Sequence, residues 1–432
     1  MSKYNAFIFK NYSFDEESKK LVLDYSFDNL VNFSETFSFD FDFAIYDPVK
    51  LDIALQSLFF MAGVSYYKTY LAPEIVIEKG SLDQSSSEFF SKTYQRGLGE
   101  FFYINKLDPS TPTKFPFTDT EKPSIGQSDQ SGLLIGIGGG KDSLVSVELL
   151  RDNEDNITTW SLGHRSQLEP LINVIGLPHL WVDRVWDRSL LQHNAEHALN
   201  GHIPISAIFA AVGSVVGILS GKEQVIVSNE SSANEPDLEY QGVQINHQYS
   251  KSIEFEKGYQ DYISSTTKSP TYFSFLRPLS EVYISEIFAK VGFEKYRGFF
   301  SSCNRAFTHD SDHMFWCGEC AKCAFTFLAL TPFIDRTELE SIWSKNLLLD
   351  PSLDQTYKKL LGIKADKPLD CVGEIKESRE AMRLAQTIYP ELNRYEFEIP
   401  ADYNYKTLAQ HSMPQTTMDL LVEKLNIYRD DK

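Results

Sequence analysis

In the segment LLIGIGGGKDSLVS, an apolar run from Leu133 to Ile137 ends in Gly138, Gly139 and Gly140 and passes directly into Lys141, Asp142 and Ser143. Glycine lets a backbone take positive φ and come close to a ligand. A helix start just beyond it presents unpaired N–H groups and a positive dipole end, which together suit an anion. Lys141 adds a charge and Ser143 a hydroxyl, while Asp142 can cap the helix or help hold a metal ion beside phosphates. The spacing is neither that of a Walker loop nor the G-x-G-x-x-G of dinucleotide folds with its matching acid. A bare tight connection is the plainer reading of the glycines. Strand, glycines, acid and hydroxyl nevertheless occur in the order that a phosphate cradle needs.

Cysteine supplies the second pattern. Cys303, Cys317, Cys320 and Cys323 stand as C-x13-C-x2-C-x2-C, the last three within WCGECAKCAF. Each C-x2-C step places two thiolates on one tight turn, and a fourth from a loop completes a tetrahedron around zinc. Clustered cysteines in an intracellular chain point to metal before disulfides. Two other readings stay open: small buried apolar residues, or a thiolate at Cys303 or Cys371 that removes a carbon-bound proton.

Two polar stretches complete the inventory. Ser228, Asn229 and Glu230 begin the loop SNESSANE directly after the strand candidate Gln224–Val227, and Asn246-His247-Gln248-Tyr249-Ser250-Lys251-Ser252 follows, with Glu254 and Glu256 beyond. This density of donors and acceptors reads as a nucleotide or substrate pocket. His202 can be a cap or a ligand. Arg277-Pro278-Leu279, ahead of Glu281 and Glu286, is a weaker signal.

These residues need elements to position them. Strand candidates at 133–137, Ile157–Leu162, Leu180–Val185 and Gln224–Val227 alternate with helical segments near 143–151 and 203–220. That order argues for β-α-β units in a parallel sheet, with ligands at the C-terminal strand ends. Before them, Phe37, Phe39, Phe41 and Phe43 recur at period two, the pattern of antiparallel strands with one wet face. Pro48 opens a helix running to about Tyr70. Residues 106–131, rich in Pro, Ser and Thr, read as a linker. The C-terminal portion reads as mainly helical, with Ser378 a plausible cap for a helix to Ile388. The expected fold is α/β: a strand-rich α+β N-terminal domain over 1–127, a parallel-sheet catalytic domain over 128–300, and a cysteine-cluster and helical region over 301–432 packed upon it.

Composition narrows the partners. The chain has 432 residues, with 60 acidic against 41 basic and a net charge of −19. So acidic a chain argues against nucleic acid, whose phosphates call for a basic face. The N-terminus lacks a signal-peptide pattern, and the apolar stretch 203–220 is too short and too interrupted for a membrane span. A cytoplasmic enzyme with a small-molecule substrate and no membrane partner is expected. Nothing in the sequence speaks to oligomeric state.

The segment Gly138–Ser143 resembles the PP-loop signature Ser-Gly-Gly-x-Asp-Ser of N-type ATP pyrophosphatases, with Gly138 in the first Ser position and one phosphate-binding hydroxyl thereby missing. The glycine loop, the SNE loop, NHQYSKS, the cysteine cluster and the strand-rich N-terminus together resemble the UDP-N-acetylmuramoyl-L-alanyl-L-glutamate epimerase family of bacterial peptidoglycan synthesis. The resemblance implies a PP-loop sheet, ATP and Mg²⁺ as cofactors, and a UDP-sugar dipeptide whose terminal glutamate is adenylated and inverted. It implies that Gly138, Gly139, Gly140, Lys141, Asp142, Ser143, Ser228, Asn229 and Glu230 hold the nucleotide. It also implies a structural Zn²⁺ on the four clustered cysteines, as in PP-loop relatives that make the deazaguanine nitrile. Lys141, Asp142 and Ser143 would serve catalysis at the phosphates, and His247, Tyr249, Lys251, Cys303 or a nearby glutamate would move the proton. Rival readings are a deazaguanine nitrile synthase-like or other ligase, a tRNA-modifying enzyme, and a nucleotide sensor without turnover.

Overall fold

The computed structural model describes residues 3–119, 125, 130–152, 156–196, 198–307, 311–364 and 367–429. Its strands in chain order are β1 (Ala6–Asp15), β2 (Lys20–Phe27), β3 (Val31–Asp40), β4 (Glu74–Ile77), β5 (Leu133–Gly136), β6 (Ile157–Leu162), β7 (His179–Val185), β8 (Gln224–Val227), β9 (Leu238–Tyr240), β10 (Val243–Ile245) and β11 (Thr271–Ser274). All but β9 and β10 join one sheet in the order β11-β8-β5-β6-β7-β3-β2-β1-β4. The five strands from β11 to β7 pair in parallel, as the alternating pattern led one to expect.

The N-terminal strands do not form a sheet of their own. β3 pairs antiparallel with β7, from Thr36 opposite Val185 to Asp40 opposite Trp181, and carries the sheet onward. Period two reveals which face of a strand is buried but not which strand lies at its edge. Glu35, fully buried on β3, pairs with Arg184 of β7 across this junction. A buried carboxylate needs such a partner to stay charged. The alternation also outruns the strand: Phe33, Phe37 and Phe39 are buried on β3, whereas Phe41 and Phe43 lie beyond its end. The linker reading is described only at 106–119, 125 and 130–131; the boundary expected at 127/128 lies outside the described residues.

Each sheet face carries a core. On one, Phe7, Phe9, Phe37 and Val182 meet the helices Pro48–Ala62 and Ile205–Leu219. Asp47 caps the first of these, accepting from Val49 N at 2.8 Å and Lys50 N at 3.3 Å. That helix stops at Ala62, short of Tyr70, and Gly63 follows; a Cβ there would stand 2.5 Å from the Phe9 ring. The apolar stretch 203–220 is a buried helix packed between the sheet and Pro48–Ala62. No helix of the described residues is long and apolar enough to cross a membrane.

On the other face, helices Lys141–Leu150, Arg165–Ile175 and Glu281–Val291 share a core with Ala321–Leu330 and Ile375–Gln386. The last of these begins three residues before the expected Ser378. Glu374 caps it in a box with Glu377, and Ser378 is buried inside the helix. A capping box needs an acceptor at the N-cap and a second at the third helical position. Two glutamates at that spacing meet the requirement, and Ser378 does not.

Candidate active site

The order β8-β5-β6 places a topological switch at β5, since the chain runs from β5 through β6 to β7 on one side and returns to β8 on the other. Loops leaving the C-terminal ends of strands on either side of such a point diverge and open a crevice. Three loops meet there, after β5, β8 and β11.

The β5 loop is the glycine run. Gly139 has φ +90°, and a Cβ on it would collide with Phe307, Leu168 and Met314 within 3.1 Å. Its carbonyl accepts from Ser301 N at 2.9 Å, which fastens the loop to the chain leading into the cysteine cluster. Gly138 faces open space, so the hydroxyl missing from the PP-loop pattern has room to be present. Gly140 begins the helix Lys141–Leu150, and no side chain caps it. Its leading amides therefore retain the capacity to hold an anion. Ser143 Oγ donates to Gly140 O at 3.1 Å, and the Ser228 hydroxyl pairs with Ser146 at 2.7 Å.

Asp142, Glu230 and Glu281 come from the three loops, and their carboxylate oxygens lie within 4.8 Å of one another. Lys141 Nζ reaches Asp142 at 2.5 Å and also bonds Glu281. Burial would lower the Lys141 pKa, but Asp142 and Glu281 overcome it and hold the ammonium above its usual range. Burial, helped by Glu281 and Glu230, pushes the Asp142 carboxyl up to about 6 against the pull of Lys141. The three carboxylates converge with Lys141 bonded to two of them and Lys322 3.9 Å from Glu281, and hard oxygen donors of this kind fit Mg²⁺.

Arg277, fully buried, ties the loops together. It bonds Glu256 at 2.9 and 3.1 Å, the Glu230 carbonyl at 2.7 Å, and the Lys251 carbonyl. Ser274 Oγ meets the Asn229 carbonyl at 2.6 Å. The Arg-Pro-Leu segment that looked weak in sequence thus sets the position of both polar stretches.

Beside the carboxylates lies a second group. His247 Nδ1 meets Asp237 Oδ2 at 2.6 Å, and its backbone N–H donates to the same oxygen at 2.8 Å. Lys251 Nζ lies 3.2 Å from Cys371 Sγ. Lys322 bonds the Cys371 carbonyl and stands 3.9 Å from Glu281, which joins the two groups. Tyr249 does not join them. It turns into the core against Phe255 and borders a separate 160 Å³ cavity with Arg96 and Asn234, and burial and Glu254 push its hydroxyl far above the usual range. Asp237 and Lys322 were not singled out in the sequence, and Cys371 and Glu281 were named there without their partners, because single residues far apart along the chain leave no spacing to read.

The cysteine cluster lies on the chain that Ser301 fastens to the glycine loop. Cys303 Sγ lies 4.0 Å from Cys320 Sγ and Cys317 Sγ 3.7 Å from Cys323 Sγ, with all four within 4.8 Å. A zinc tetrahedron with Zn–S bonds of about 2.3 Å needs sulfurs about 3.8 Å apart. Backbone N–H groups of Glu319 and Cys323 point at Cys317 and Cys320 sulfurs at 3.4 Å, favouring thiolates.

Residues 1–275 match the family model described as the MurL N-terminal domain, and residues 299–394 the one described as the MurL C-terminal domain. The chain belongs to the MurL family. Three relatives bear the name UDP-N-acetyl-alpha-D-muramoyl-L-alanyl-L-glutamate epimerase. That of Xanthomonas oryzae pv. oryzae is 37% identical over 388 residues, covering 88% of this chain and 85% of its own. Those of Salinispora tropica and a Micromonospora species are 36% and 33% identical, each over 89% of this chain and over 85% and 87% of their own. The MurL matches take in the glycine loop, His247 and Lys251 in the first segment and all five cysteines in the second; Arg277 and Glu281 fall between them.

Proposed function

We propose that the chain is an ATP-dependent epimerase with a PP-loop sheet, acting in the cytoplasm on UDP-N-acetylmuramoyl-L-alanyl-L-glutamate in peptidoglycan precursor synthesis. It adenylates the α-carboxylate of the terminal L-glutamate, releases pyrophosphate, and inverts the α-carbon to the D form. The observation that carries this reading is the uncapped Gly140 helix start facing Asp142, Glu230 and Glu281 at the switch of the parallel sheet. MurL membership supplies the substrate.

The chemistry follows from charge. An α-hydrogen next to a carboxylate resists removal, because a carbanion would form beside an existing negative charge. Joining that carboxylate to AMP as an acyl-adenylate cancels the charge and lets the acyl oxygen take up the electron pair. The amides of residues 139–143 cradle phosphates and Lys141 offsets charge on the departing pyrophosphate. Mg²⁺ held by Asp142, Glu230 and Glu281 would supply further charge neutralisation there. Hydrolysis restores the carboxylate, after which the D centre no longer exchanges readily.

The test is incubation with ATP, Mg²⁺ and the L,L-substrate in deuterated water. AMP formation with deuterium at the glutamate α-carbon is expected; ADP as product, or no label, rejects the reading. Asp142→Ala should lower AMP release by at least about a hundredfold.

A further inference from the structure

We propose that the glutamyl α-carbon is turned over between Cys371 Sγ and His247 Nε2, the thiolate taking the hydrogen from the L face and the imidazolium delivering one to the opposite face. This rests on the adenylation reading only for the acidity of the α-hydrogen. The geometry is independent of it.

Cys371 sits on the segment leading to the Glu374 cap, His247 on the turn after β10. His247 is 4% exposed, and among the described residues its Nε2 has no hydrogen-bond partner although Nδ1 is fixed by Asp237. A buried ring nitrogen without a partner needs a reason, and a substrate atom supplies one. The two side chains face each other, each favouring the charged form of the other. Around them stand Lys251 on the turn Tyr249–Lys251, Lys322 in the helix Ala321–Leu330, His202 ahead of Ile205–Leu219, Glu100 in Gly99–Ile104, and Asp237 and Asp370.

Charge assigns the roles. Burial would raise the Cys371 thiol, but Lys251, His247 and Lys322 bring it down to about 6, so it is a thiolate at neutral pH and a base. Burial would lower His247, but Asp237 and Cys371 lift it to about 9, so it is an imidazolium and an acid. Lys251 is held above the usual lysine range by Cys371 and Glu230 against its burial and cannot accept a proton; it is a positioning residue. Of the candidates that the sequence leaves open, His247, Tyr249, Lys251, Cys303 and the nearby glutamates, this proposal takes His247 and pairs it with Cys371.

The step balances. The Cα–H bond breaks, its hydrogen goes to Sγ, and the electron pair moves into the acyl group as an enolate. The Nε2–H bond of His247 then breaks, its hydrogen joins Cα from the other side, and the pair returns to form that bond. Water releases AMP, and once the product has left, the thiol loses its proton to solvent and the imidazole regains one from it.

The experiment uses the full chain with ATP, Mg²⁺ and the L,L-substrate in deuterated water. Cys371→Ser and Cys371→Ala should label and invert the L substrate at least about a hundredfold more slowly while still exchanging labelled pyrophosphate into ATP. His247→Asn keeps an N–H for Asp237 and should label the L substrate without inverting it, because Cys371 can return solvent deuterium to the face it serves. Iodoacetamide should alkylate wild-type Cys371 with half-maximal rate near pH 6, and substrate with ATP should protect it; a midpoint above about 8 removes the thiolate. Inversion at the wild-type rate by Cys371→Ala, or by His247→Asn, overturns the proposal. A wild type that inverts without making AMP overturns the adenylation reading and leaves the variant comparison intact.

Discussion

Five cysteines in this chain meet two opposite fates. Cys303, Cys317, Cys320 and Cys323 converge on one point with backbone N–H groups aimed at two of the sulfurs. Cys371 stands alone among Lys251, Lys322 and His247. Four thiolates without a balancing ammonium repel one another unless a cation sits at their centre, and a set that supplies all four ligands leaves no open position for chemistry. One thiolate stabilised by fixed positive side chains needs no metal and keeps its lone pair available. Residue type is the same; on the proposed reading, what surrounds the sulfur decides between scaffold and reagent.

The largest test of that contrast is to remove one sulfur from the cluster. Cys320→Ser or Cys323→Ser should abolish bound zinc, measured by elemental analysis, and cost on the order of 4 kcal/mol or more in denaturant unfolding. Nucleotide binding should fail with it. Ser301 N holds the Gly139 carbonyl, and Phe307 and Met314, between the first two cluster cysteines, press on Gly139. Wild-type protein that carries no zinc yet is stable would end the distinction between the two kinds of cysteine.

A smaller effect comes from Lys251→Met, which keeps length and packing but removes the cation that lowers the Cys371 thiol most. Wild-type deuterium incorporation should follow a bell with limbs near the Cys371 value of about 6 and the His247 value of about 9. A base works once deprotonated, so a raised thiol pKa moves the acid limb upward. The variant should lose roughly tenfold per unit of that shift at pH 6 and recover much of the rate near pH 8.5. A uniform loss at every pH would make Lys251 merely structural.

How much of this was legible in sequence depends on how local each device is. The glycine loop and the C-x2-C steps are written within a few residues, and the structure places the first at the switch of the sheet and gathers the four sulfurs within 4.8 Å. β6 and β8 coincide with the strand candidates Ile157–Leu162 and Gln224–Val227. The union of β3 with β7 was hidden because side-chain alternation carries no information about edge partners. The Cys371 site was hidden for a related reason: its charges come from positions 247, 251 and 322, and only the fold brings them together. Tyr249 drew its reading from its neighbours, whereas the turn Tyr249–Lys251 buries its side chain against Phe255, and no spacing rule shows that.

The smallest effect is on stability, and it separates Cys371 from the cluster most finely. His247 has a raised folded pKa, so its contribution is complete below the unfolded value of about 6.5 and is lost as pH rises through about 9. Cys371 has a depressed one, so its contribution is complete above the unfolded value of about 8.5 and is lost as pH falls through about 6. Between those limits the folded state binds one proton more than the unfolded at His247 and one fewer at Cys371, so the two slopes cancel. In wild type, urea midpoints from pH 6.5 to 8.5 should carry almost no slope from this pair. Cys371→Ser should leave the histidine alone and make stability fall with rising pH; His247→Asn should leave the thiol alone and make it rise. Each slope is bounded by about 1.4 kcal/mol per pH unit. Parallel curves for wild type and both variants would mean that the fifth cysteine is an ordinary thiol and that its difference from the other four is one of location alone.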